Sequence, residues 1–209
     1  PLSPHYAMSS TQTVEEKVKN VIKKTKHTIK LHFQPPFYND TDYLNALINI
    51  IKPKLIDFDY LLFSYHGLPY RHLKKTDPTQ NHCLSNNCCK TPSKAWETCY
   101  QHHTIETTQK IVKQLKIDSN NYGIAYQSRL GNDPWLLPNT EEFVKKLCEN
   151  GVKKLGIVCP SFVTDCLETL EEINIGIREL FLENGGESFT YIDCLNTEPD
   201  WISTLKKWV

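Results

Sequence analysis

Two hydrophobic periods take turns along this chain of 209 residues. Across residues 40–52 the apolar positions Leu44, Leu47, Ile48 and Ile51 fall at the spacing that lines one helix face. The next run, DYLLFSY (59–65), is almost continuously apolar, as a strand buried on both faces requires. The same switch recurs downstream. Helical spacing over 104–115 gives way to a strand at 122–128 (YGIAYQS), and a helix over 140–149, ended by Gly151, precedes a strand at 154–160 (KLGIVCP). A further helix, roughly 166–183, stops at Gly185 and Gly186; a strand at 189–194 (FTYIDC) and a helix from Glu198 close the chain. Upstream, residues 1–6 suggest a strand end and loop, residues 9–13 supply caps for a helix over 14–24, and TIKLHF (28–33) has β-rich composition. Strand and helix alternating in this way predict an α/β fold with a doubly wound parallel sheet. Residues 70–99 carry neither period.

Charge and composition narrow the function. Lys and Arg together number 24, as do Asp and Glu, so no net basic field draws the chain to nucleic acid. Hydrophobic residues make up 39%, enough for one sizeable core or two small lobes. No apolar run reaches the length of a membrane span, and no charged-then-apolar leader opens the sequence, which favours a cytoplasmic protein. The first residue is Pro1 rather than Met, so an amino-terminal portion is expected before it.

In open α/β sheets ligands lie beyond the carboxyl ends of the strands. Three stretches fall there: His66 after the strand 59–65, QSRLGNDPWL after 122–128, and PSFVTD after 154–160. Position alone leaves His66 equally open to service as a hydrogen-bonded turn residue. In the helix that follows PSFVTD, Asp165, Glu168, Glu172 and Glu179 share one stripe at 100° per residue, opposite an apolar stripe. Such a row suits a cation path or a proton relay. Asp165 and Glu168 fit a capping box and an ordinary acidic helix start just as well.

Four motifs, FSYHGLP, YQSRLGNDPWLLPNTEEFV, CPSFVTDCLETLEEINI and YIDCLNTEPDWI, resemble in order those of the ferrochelatase family, and PLSPHYAMSSTQTV resembles the segment that family carries around Pro-Gln-Tyr-Ser. The resemblance implies insertion of ferrous iron into protoporphyrin IX to make protohaem, a lyase reaction that ends haem biosynthesis. It implies a chelatase-like pair of Rossmann-like doubly wound sheets: residues 1–55 as the remainder of an incomplete first lobe, and 56–209 as the second, with an insertion at about 70–99 and a final helix returning to the first. His66 is then the imidazole facing the pyrrole nitrogens, as proton acceptor or as metal guide, and Glu168 the active-site glutamate. Asp165 and Glu172 extend the iron path. Phe162 and Trp135 become apolar walls, Tyr6 approaches from the first lobe, and Gln127 and Arg129 shape the cleft, Arg129 towards a propionate. Two residues before Glu168 stands Cys166, as in the cysteine-bearing bacterial branch. A chelatase acting on coproporphyrin or loading cobalt, and a haem-carrying module without turnover, are the alternatives; peripheral contact with the inner membrane is compatible with each.

Cys83, Cys88, Cys89 and Cys99 fall within one short stretch, while Cys148, Cys159, Cys166 and Cys194 are scattered as small apolar residues. In a reducing compartment, clustered cysteines point to metal before disulfide. The resemblance implies a 2Fe–2S cluster on these four, since some bacterial members bear such an insertion, although relatives often have a further cysteine where this chain has Thr104. Zinc is the alternative, with His82, His102 or His103 completing the site.

Overall fold

The computed structural model describes residues 2–25 and 28–209; of the strand end and loop expected over 1–6, Pro1 lies outside them and residues 2–6 form no strand. A π-helical turn (Met8–Gln12) leads into α1 (Thr13–Thr25), which buries none of its residues. TIKLHF does not form a strand. A strand exists only through ladder bonds to a neighbour. None of the sheet's strands pairs with this segment, and its Ile29 and Leu31 stand 60% and 38% exposed.

From residue 40 onward the alternation is realised. Asp40 caps α2 (Thr41–Ile51) by accepting the Tyr43 N–H at 3.0 Å, and α2 buries Tyr43, Leu44, Leu47 and Ile51. β1 (Tyr60–His66) follows. The irregular stretch contains α3 (Tyr70–Thr76) and two 3₁₀ turns (Cys88–Lys90 and Lys94–Glu97). α4 (Tyr100–Leu115) begins four residues before the expected 104, because Cys99 serves as its N-cap, its sulfur accepting the His102 N–H at 3.5 Å. Then come β2 (Tyr122–Gln127), α5 (Thr140–Glu149) and β3 (Lys154–Val158). The next helix is composite: α6 (Leu167–Thr169), a π-helical stretch (Leu170–Ile177) and α7 (Arg178–Glu183). β4 (Ser188–Ile192) and α8 (Pro199–Trp208) complete the chain.

The four strands are parallel in the order β2-β1-β3-β4, with Phe63 opposite Ile124 on one side and Val158 on the other. The period of two in β1 divides the core. Leu61, Phe63 and Tyr65 pack with α2, α4 and α8, whereas Leu62 joins Ala125, Leu155, Ile157, Val144, Ile173 and Phe181 on the other face. Helices on both faces make the sheet doubly wound. From β1 the chain crosses to β2 and from β3 it crosses to β4, in opposite directions, so a crevice opens at the carboxyl ends of β1 and β3.

Candidate active site

The crevice gathers the loops that leave β1 and β3. His66 is the last residue of β1 and is half-buried; its Nδ1 lies 2.6 Å from the Gly67 carbonyl. Phe162, from the turn after β3, faces it with ring centroids 6.3 Å apart. Glu168, half-buried at the start of α6, completes the group. Its carboxyl lies below the usual glutamate range, first because the Cys166 thiol hydrogen-bonds to it, then through its own backbone N–H; partial burial opposes this and the His66 imidazole adds to it. An open cavity of about 380 Å³ beside Glu168 is lined by Leu2, Ser161, Phe162 and Cys166.

Gln127 holds these pieces together from inside. It is 3% exposed. Its Oε1 accepts the Ser64 hydroxyl at 2.8 Å, its Nε2 donates to the Glu168 carbonyl at 2.7 Å, and its carbonyl accepts the Gly67 N–H at 2.7 Å. The residue expected to shape the cleft therefore positions Glu168 through its side-chain amide and the turn after His66 through its backbone carbonyl. Trp135 lies over that turn: a β-carbon on Gly67 would stand 3.1 Å from its ring and 2.8 Å from the Gln127 carbonyl. Its buried indole N–H has no hydrogen-bond partner among the described residues.

The acidic row is not a straight stripe. Asp165 precedes the helix, and the π-helical stretch widens the turn between Glu168 and Glu179. Asp165 faces inward, where Oδ1 accepts from Tyr191 OH (2.5 Å), Thr169 Oγ1 (3.1 Å) and the Cys194 N–H (3.3 Å), and Oδ2 from Asn196 Nδ2 (2.6 Å). A carboxylate so occupied is a structural knot rather than a free iron ligand. Glu172 accepts from Ser128 Oγ at 2.6 Å and, with Gln127 and the exposed Arg129, lines a separate open cavity of about 890 Å³ along the π-helical stretch. Tyr6 lies elsewhere, its hydroxyl 3.1 Å from Gln12 Oε1, and lines a small pocket together with Leu68 and Tyr100.

The cysteine loop packs against the amino end of α4. Cys83, Cys88 and Cys99 are buried and Cys89 half-buried; all four are free thiols, and the sulfurs of Cys88 and Cys89 are 3.9 Å apart. The Cys99 thiol is brought down to about 6, first by a hydrogen bond from Cys89, against burial, with the His102 N–H and the Cys83 thiol assisting. Burial and the neighbouring Cys99 push Cys83 up, and the hydrogen bond to Cys99 followed by burial does the same for Cys89. Asp77 organises the loop, accepting the N–H groups of Thr79, His82 and Cys83 and the Thr79 hydroxyl. Four mutually interacting thiols, one of them acidic, are a donor set that suits a soft metal or an iron–sulfur cluster. Among the described residues no three His, Cys, Asp or Glu side chains stand as a ready-made cage. The histidines contribute unevenly. Both ring nitrogens of His103 are engaged, at Tyr6 N and the Trp96 carbonyl, and His82 Nε2 lies 2.9 Å from the Cys88 carbonyl, whereas His102 keeps Nδ1 without a partner.

Tyr100 escaped the sequence reading, which named His103 only as a candidate zinc ligand. Both sit on α4, where the only signal is that Tyr100 follows a clustered cysteine and His103 falls one turn later.

A family model described as ferrochelatase matches residues 1–209. The ferrochelatase of Pseudomonas fluorescens is 43% identical over 208 residues, which is 98% of this chain and 61% of that protein. Those of Opitutus terrae and Ectopseudomonas mendocina are 42% and 44% identical, covering 98% and 99% of this chain and 60% and 61% of their own lengths. The chain spans about 60% of the length of the curated relatives it matches.

Proposed function

The chain belongs to the ferrochelatase family, and from that premise we propose that it works in the insertion of ferrous iron into protoporphyrin IX to make protohaem. The observation that carries the proposal is the placement of His66 at the end of β1, facing Phe162, with Glu168 at the start of α6 on the same crevice. A porphyrin releases two N–H protons as the metal enters, so the site needs a base that titrates near neutrality and a route for the proton outward. His66 takes a pyrrole proton, and the ionised Glu168 attracts the cation and accepts the proton in turn. Phe162 and Trp135 are the rigid apolar surfaces against which a flat macrocycle is held bent, exposing its nitrogen lone pairs. Gln127 keeps Glu168 and the Gly67 turn in register while the ring is bound.

We also assign Cys83, Cys88, Cys89 and Cys99 to a 2Fe–2S cluster, with zinc as the alternative occupant. Bound there, the cluster would supply a redox-sensitive cross-link of the loop. The hydrogen bonds of the Cys89 and Cys83 thiols to Cys99, and the closeness of Cys88 to Cys89, support this reading.

The test is anaerobic mixing of ferrous iron and protoporphyrin with the full-length protein, followed by absorbance, beside an identical mixture with coproporphyrin. Protohaem bands that need the protein support the proposal. Turnover of coproporphyrin alone would move the substrate to that porphyrin, and bound porphyrin without metallation would leave only a binding module.

A further inference from the structure

The first turn of α4 touches both the cysteine loop and the crevice. Cys99 caps it. The next residue, Tyr100, is 5% exposed and donates its hydroxyl proton to the His66 carbonyl at 2.8 Å. The same oxygen lies 2.8 Å from Ser161 Oγ; with its only proton committed, it accepts from the serine. Tyr100 thereby grips the end of β1 and the turn that carries Phe162. One helical turn later His103, 0% exposed, accepts the Tyr6 N–H on Nδ1 at 3.2 Å, which leaves the proton on Nε2 for the Trp96 carbonyl at 2.7 Å. Trp96 in turn donates its indole N–H to the Cys88 carbonyl at 3.1 Å. Tyr38 stacks on the His103 ring with centroids 3.7 Å apart and fixes its plane.

Two partly buried lines therefore leave the cysteine loop: along the chain from Cys99 to Tyr100 and on to His66 and Ser161, and from the Cys88 carbonyl through Trp96 and His103 to Tyr6. The first ends on groups of the residues that frame the crevice, and the second on the backbone of Tyr6, outside it. Hydrogen bonds held among packed side chains keep their geometry, and a displacement at one end is passed along such packed groups. We infer that the first turn of α4 ties the cysteine loop to the crevice, with Tyr100 and His103 as positioning residues, so that a metal filling the thiols stiffens the chain at His66 and at Tyr6. What the crevice does rests on the ferrochelatase reading; the tie itself does not.

The experiment is hydrogen–deuterium exchange of the full-length protein with and without Cd²⁺, a soft cation chosen to fill the thiols, read in peptides covering residues 4–9, 64–69 and 77–103. In the wild type Cd²⁺ should slow exchange by about threefold or more in all three peptides. Tyr100→Phe keeps the ring and should abolish the slowing at 64–69 alone; His103→Phe keeps the stack on Tyr38 and should abolish it at 4–9 alone. Slowing confined to 77–103 in the wild type would overturn the inference. So would slowing at 64–69 that persists in Cys83→Ser/Cys89→Ser, because the cation would then be acting at His66 and Glu168 directly. No porphyrin is present in any arm, so failure of the tie and failure of the chelatase reading are told apart.

Discussion

Asp165 and Gln127 show what single side chains contribute to the crevice. Asp165 was expected on the iron path and Gln127 to shape the cleft, and both turn inward because their partners lie on other strands and turns: Tyr191 and Asn196 for Asp165, Ser64 and the Glu168 carbonyl for Gln127. Nothing in the local sequence announces a hydrogen bond to a residue 26 or 31 positions away. His66 and Glu168 were legible because a strand end and a helix start are local features. Burial alone would raise the Asp165 carboxyl, but the bonds from Asn196, Tyr191 and the Cys194 N–H outweigh it and hold it below the usual range. A folded value below the unfolded one contributes stability that is fully present above about pH 4 and is lost as pH falls through the folded value. Asp165→Asn should therefore lower thermal stability at pH 7, by about 1–3 kcal/mol for a buried hydrogen-bond set left unbalanced, and flatten the acid limb of a plot of Tm against pH. An unchanged acid limb would mean that the carboxylate is not the knot.

At the level of elements, periodicity located nearly every helix and strand from residue 40 onward, since each buries one face or both. The departures have local causes. Cysteine is an unusual cap, so the true start of α4 was hidden, and the π-helical stretch is a change of pitch that a count at 100° per residue passes over. TIKLHF has the composition of a strand without a strand to pair with. The turn after β1 depends on Gly67, whose N–H reaches the Gln127 carbonyl at 2.7 Å and whose missing side chain makes room for both that carbonyl and Trp135. Gly67→Ala should push the indole and the end of β2 apart, lower stability by about 1–3 kcal/mol and slow metallation more than it weakens porphyrin binding. Circular dichroism melts and a porphyrin titration check both; metallation at the wild-type rate would show that the close approach at Gly67 is incidental.

The whole molecule is a small parallel sheet whose chain reversal between β1 and β3 leaves one crevice, and the residues that the sequence marked for chemistry divide around it. His66, Phe162 and Glu168 meet at its mouth, Glu172 and Arg129 line the neighbouring cavity along the π-helical stretch, and the thiols sit behind α4. Among the described residues no helix is long and apolar enough to cross a membrane. The doubly wound sheet was legible from alternation alone. The division of labour around the crevice was not, because it depends on how the two faces of β1 are covered. The central claim is that His66 at the strand end takes the pyrrole proton with Glu168 beside it. The measurement that tests it most directly is the single-turnover rate of iron insertion, under anaerobic conditions with porphyrin already bound, in the wild type and His66→Ala. The account predicts a rate lowered by about a hundredfold or more with porphyrin affinity little changed, the scale of losing a positioned proton acceptor. A variant that metallates at the wild-type rate would contradict it.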